Sequence, residues 1–84
     1  KTSGSTFKNP INKTSKKAWE LIKESVSNDL KFGGACISKK HSNFFINTGD
    51  ATFEDMKNLI NFVEKSVFSK TGIQLEKEIK ILEN

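Results

Sequence analysis

The chain has 84 residues with a net charge of +4, 35% of them hydrophobic, 29% charged, and a single cysteine. A chain this short buries only about 60–65% of its unfolded surface, which allows one small domain with a modest core. The composition is too apolar for a disordered chain, and no apolar run approaches the roughly 18–20 residues of a membrane helix. One Cys and one His supply neither an internal disulfide nor the ligands of a zinc site.

The first ten residues are polar, unlike a secretion signal, and the start at Lys1 instead of methionine fits a piece of a longer chain. "STFKN" predicts a short strand closed by Pro10, which biases the residue before it toward extended geometry. "NKTSKK" follows as a polar loop. "SKKAWELIKESVSND" then sets Ala18, Trp19, Ile22 and Val26 at helical spacing, with Ser15 as the expected N-cap and Trp19 and Ile22 as core anchors.

Gly33–Gly34 breaks that pattern. "ACIS" and "NFFINT" read as two strands around a "KKHS" connection, with Cys36 a small core residue between Ala35 and Ile37. "GDATFEDMKNLINFVEKSVFSKTG" is the strongest helical signal. Thr52 and Asp55 form a capping box, Phe53, Met56, Ile60, Val63 and Val67 share an apolar face, and Gly72 is the stop. In "LEKEIKIL" Leu75, Ile79 and Ile81 alternate with Glu76, Glu78 and Lys80, a final strand with Glu78 turned from the core. The expected architecture is a two-layer α+β unit in the order strand, helix, two strands, helix, strand.

The lysines are interleaved with glutamates, as on a solvated surface, apart from the pairs Lys16–Lys17 and Lys39–Lys40. A sequence pI near 9.3, seven phenylalanines and the "NFFIN" strand suit a small RNA-binding module. Against that reading, Phe44 and Phe45 are adjacent and so face opposite sides of a strand, and no RNA-binding motif is present.

Three stretches, "SGSTFKNP", "FGGACISKKHSNFFINTGDAT" and "GIQLEKEIKIL", together resemble the C-terminal, substrate-binding domain of the UDP-N-acetylenolpyruvoylglucosamine reductases, from about Ser3 to Leu82. The chain departs from that family at Ser25–Phe32. Relatives have a glycine-containing "AG-x-x-G" stretch where this chain has "ESVSNDLKFGGA", which is expected to lengthen the first helix or strain the turn. A remnant of the reductase with no remaining role is a further reading of that altered loop.

The resemblance implies a cytoplasmic, NADPH- and FAD-dependent oxidoreductase of peptidoglycan synthesis. The whole chain, residues 1–84, would be its substrate domain, with the flavin-binding region upstream and absent. It implies that Ser5 gives a proton to the reduced substrate, and that Glu78 works with an arginine of the upstream region to stabilise the enol-like intermediate. Asn9 and His41 are implied substrate contacts. Lys8 would face the carboxylate or diphosphate, or solvent. The partner implied is UDP-N-acetylenolpyruvoylglucosamine, with no nucleic acid or membrane. The isolated chain is expected to bind neither cofactor and to be inactive.

Overall fold

The computed structural model describes residues 2–78. In chain order the elements are β1 (Thr2–Ser5), α1 (Ala18–Ser25), β2 (Lys31–Phe32), β3 (Ala35–Ile37), β4 (Phe44–Asn47) and α2 (Phe53–Thr71). The strands form one antiparallel sheet in the order β1-β4-β3-β2. This is the expected α+β class, with two corrections to its strands.

The first correction is at the amino end. The expected strand over "STFKN" lies earlier, at Thr2–Ser5, because the chain bends at Thr6 and leaves the ladder with β4. The second is β2, which the sequence reading missed. Gly33–Gly34 is a two-residue hairpin joining the paired residues Phe32 and Ala35, not a simple interruption, and Gly33 takes a left-handed φ of 57°. The final strand is represented among the described residues by one antiparallel bridge, Phe7 to Lys77. Ile79, Lys80, Ile81 and Leu82 lie outside the described residues.

α2 forms as its sequence dictates. Thr52 Oγ1 accepts from the Asp55 N–H at 3.0 Å, and the Asp55 carboxylate accepts from the Thr52 N–H at 3.0 Å. Gly72 ends the helix in the left-handed region at φ 77°, with its N–H on the Phe68 carbonyl. Leu59, Ile60, Val63 and Val67 are buried along one stripe. Phe53, expected on that stripe, is instead exposed at its flank.

α1 starts differently from expectation. Its N-cap is Lys17, not Ser15, and a lysine side chain cannot accept a hydrogen bond. Two other side chains do the work. Glu20 Oε1 accepts from the Lys17 N–H at 2.7 Å, and Asn9 Oδ1 accepts from the Ala18 N–H at 2.9 Å. Ahead of this turn Lys16 pairs with Glu24 at 2.8 Å, and that carboxylate holds the Lys16 ammonium above its usual pKa.

The loop at Ser25–Phe32 neither lengthens α1 nor strains the backbone. α1 stops at Ser25, Val26 caps it in an extended conformation, and no described non-glycine residue has positive φ. An extended exit needs no left-handed residue, so the missing glycines cost nothing here.

Both helices bury their apolar sides on one face of the sheet. Phe7, Leu21, Ile22, Ala35, Ile37, Phe45, Leu59, Ile60, Val63, Val67 and Leu75 make one core. Phe7 and Phe45 meet edge to face, with ring centres 6.1 Å apart. Because side chains alternate along a strand, Cys36, Phe44 and Ile46 belong to the opposite face and are half-buried. Cys36 is therefore not a core residue. Alternation predicts its partners on a strand, but not which face the helices cover.

Candidate functional site

The segment from Ser5 to Asn9 runs between β4 on one side and residues 76–78 on the other. Ser5 is half-buried and pairs with Phe44 of β4. The next residue, Thr6, donates its N–H to the Asn43 carbonyl at 2.8 Å and accepts from the Glu78 N–H at 2.9 Å. Glu78 is thus opposite Thr6, one position from Ser5 across the ladder.

The orientation of Glu78 follows from its neighbour. Lys77 reaches Glu64 of α2 at 2.9 Å, and Glu64 also accepts from the Gln74 side-chain amide. Lys77 therefore faces the helices, and alternation sends the exposed Glu78 to the other side.

Lys8 and Asn9 continue the same segment. Lys8 is exposed, with its backbone N–H on the Glu76 carbonyl at 2.8 Å. With Pro10, Lys13 and Glu76 these residues line a cleft of about 230 Å³. Asn9 is exposed, yet its carbonyl oxygen is committed to the start of α1.

His41 sits in the β3–β4 connection. Its ring packs on Phe44 with centres 4.4 Å apart, and against Trp19 of α1 at 6.4 Å. Trp19, expected in the core, is only half-buried. With Lys23, Asn28, Lys39 and Lys40 it walls a cleft of about 320 Å³ next to His41. Its polar ring edge and the shortness of α1 keep it at the rim.

Ser5 and Glu78 are thus on neighbouring ladder positions, and Ser5 is linked to His41 through Phe44. Sequence reasoning missed Asn43, which is 4% exposed. Its amide bonds Phe7 in both directions, the Phe7 N–H donating to Oδ1 at 3.0 Å and Nδ2 donating to the Phe7 carbonyl at 2.8 Å. A polar residue directly before an apolar strand was the available signal.

Thr6 carries the opposite feature. Its side chain is fully buried, and Oγ1 has no hydrogen-bond partner among the described residues. Thr6→Val keeps the shape and removes a desolvated hydroxyl. It is expected to raise stability by about 1 kcal/mol, read as a higher urea midpoint at unchanged slope.

The described residues build no cradle for a flavin dinucleotide. Neither helix begins on a glycine-rich phosphate turn. The first N–H groups of α1 are held by Glu20 and Asn9, and the first turn of α2 carries Glu54 and Asp55, which repel phosphate. Among the described residues no three His, Cys, Asp or Glu side chains cluster as a metal site, and no helix is long and apolar enough to cross a membrane.

A family model described as "UDP-N-acetylenolpyruvoylglucosamine reductase, C-terminal domain" matches residues 1–82. The chain belongs to this family. It is 67% identical over 98% of its length to the UDP-N-acetylenolpyruvoylglucosamine reductase of Pelagibacter ubique, covering 27% of that protein. It is 49% identical over 95% of its length to the reductase of Caulobacter vibrioides and 46% identical over 95% to that of Rickettsia typhi, covering 26% of each. The chain thus spans about a quarter of the UDP-N-acetylenolpyruvoylglucosamine reductases it matches.

Proposed function

We propose that this chain, residues 1–84, is the substrate domain of a reductase that converts UDP-N-acetylenolpyruvoylglucosamine to UDP-N-acetylmuramate for peptidoglycan in the cytoplasm. The observation that supports the reading is the backbone bond from Glu78 to Thr6, which brings Glu78 to within one strand position of Ser5, in a chain of the reductase family.

The overall change adds one hydride and one proton across the enolpyruvyl double bond. The hydride comes from NADPH by way of a flavin held by the rest of the enzyme, and what falls to this chain is the proton. Once C3 has gained hydride, the electron pair of the former double bond rests on C2 and the adjoining carboxylate. Ser5 Oγ–H gives its proton to C2, forming the C–H bond and leaving an alkoxide that solvent reprotonates. A serine is a weak acid, but an enolate-like carbon is basic enough to take its proton once the hydroxyl is held in place. Glu78, with an arginine of the rest of the enzyme, steadies the charge that builds on the carboxylate. A carboxyl doing so must carry its own proton or act through water. Lys8, Asn9 and His41 hold the nucleotide-sugar.

The test is NADPH oxidation with the UDP-enolpyruvyl substrate, for this chain alone and combined with the flavin-binding region. Turnover is expected only in the combination. Turnover by the chain alone, or none in a combination that retains bound flavin, overturns the reading.

A further inference from the structure

We propose that Asn43 is the positioning residue for Ser5, acting as a one-residue substitute for a strand. The inference rests on the reading of Ser5 as proton donor.

The ladder between β1 and β4 does not hold Ser5 by itself. Its register is irregular between Thr2 and Ser5, and beyond Ser5 the chain bends and runs past the end of β4. Phe7, two residues on, is buried at 1% exposure, so its backbone N–H and carbonyl on that side have neither water nor a β4 backbone to meet. The Asn43 side-chain amide supplies both an acceptor and a donor in the pattern of a peptide group, at 3.0 and 2.8 Å. The Asn43 backbone carbonyl adds the bond to Thr6. Three hydrogen bonds from one residue therefore fix the two residues that follow Ser5.

The same residue reaches the other parts of the site. Asn43 lies in the turn closed by the Phe44 N–H on the His41 carbonyl at 2.9 Å, so it fixes His41 relative to Ser5. The opposite edge of the Thr6–Lys8 segment is bonded to Glu76 and Glu78. A shift of Thr6–Phe7 would move Ser5 and Glu78 together, out of line with the reacting carbon, and would disturb the Lys8 and His41 contacts to a lesser degree. The amide's orientation is set by its partners, since a backbone N–H requires an oxygen and a carbonyl requires an N–H.

The experiment uses the whole reductase, with this chain joined to the flavin-binding region. Asn43→Asp keeps the acceptor for the Phe7 N–H and loses the donor, whereas Asn43→Ala loses both. A displacement of about 1 Å at a reacting group costs on the order of 100-fold in rate. Reoxidation of the reduced enzyme at saturating substrate is therefore expected to slow about 10-fold in Asn43→Asp and about 100-fold in Asn43→Ala. Reduction by NADPH is expected to stay within about 2-fold of the unsubstituted enzyme, and the substrate dissociation constant to rise by less than reoxidation slows, since His41 shifts with Asn43. Val67→Ala, a core change remote in sequence, controls for lost stability and should leave both half-reactions unchanged.

Asn43→Asp decides the matter should Asn43→Ala not fold. In the unsubstituted enzyme the Phe7 amide is expected to exchange hydrogen at least about 1000-fold more slowly than an open amide. Unslowed reoxidation in a folded Asn43 variant, or unprotected exchange at Phe7, overturns the proposal. Normal reoxidation in Asn43→Asp alongside a slow Ser5→Ala enzyme overturns this inference alone. Normal reoxidation in Ser5→Ala removes the underlying reading as well.

Discussion

Ser5→Ala in the combined reductase is expected to slow reoxidation of the reduced enzyme by substrate about 10²–10⁴-fold, the usual worth of a positioned proton donor. Reoxidation slows because, in the proposed role of Ser5, hydride transfer to C3 is reversible until C2 is protonated; reduction by NADPH, which precedes both, is expected to be unaffected. Stability should barely change, since the side chain is half-buried at the end of β1 and deletion of one oxygen leaves no large cavity. Stopped-flow measurement of the two half-reactions separates these effects. Equal reoxidation rates for Ser5→Ala and the unsubstituted enzyme would remove Ser5 from the chemistry, whatever its place beside Glu78.

The second large effect is on the fold. Gly33→Ala is expected to destabilise the protein by about 2–4 kcal/mol, measured by denaturant unfolding. Two costs combine. The residue sits at φ 57°, a region that disfavours a Cβ. A Cβ built there would also stand 2.3 Å from Asp55 Oδ2 and 2.6 Å from Asp55 Cγ. To make room the carboxylate must leave the Thr52 N–H, which opens the capping box of α2. Gly33→Ala combined with Asp55→Ala should then cost less than the sum of the two single changes, because both remove the same bond. Strict additivity would show that the clash is relieved some other way.

This coupling explains what the sequence displayed and what it concealed. α2 was legible because every determinant is local: Thr52 and Asp55 are three apart, the buried stripe recurs every three to four residues, and Gly72 ends it. α1 was half legible. Its apolar spacing was plain, but one of its cap groups is Asn9, nine residues before Ala18, and no short pattern announces such a pairing. β2 has two residues, too few to show alternation, and only its Gly-Gly hairpin could have revealed it. Cys36 and Phe53 were misplaced because periodicity gives relative facing, while coverage depends on where the helices land.

The candidate site divides the same way. Family motifs marked Ser5, Asn9, His41 and Glu78, but not the means by which distant segments meet. Asn43 shows the reason. Its task is to bond a backbone that is 36 residues away in sequence, and the identity of Phe7 carries no trace of it. A role exercised through main-chain atoms is written in only one of the two partners.

The Asn9 contact with α1 also fixes how that residue's amide is turned. One lone pair of its oxygen already serves the helix, which holds the oxygen end toward α1 and leaves the nitrogen, a donor only, at the other end of the amide. The amide is thereby turned one way: in the proposed complex its two N–H bonds would meet electron-rich oxygens of the nucleotide-sugar, while the second lone pair of the oxygen stays beside the helix start. A helix cap thus sets the direction in which a neighbouring amide points.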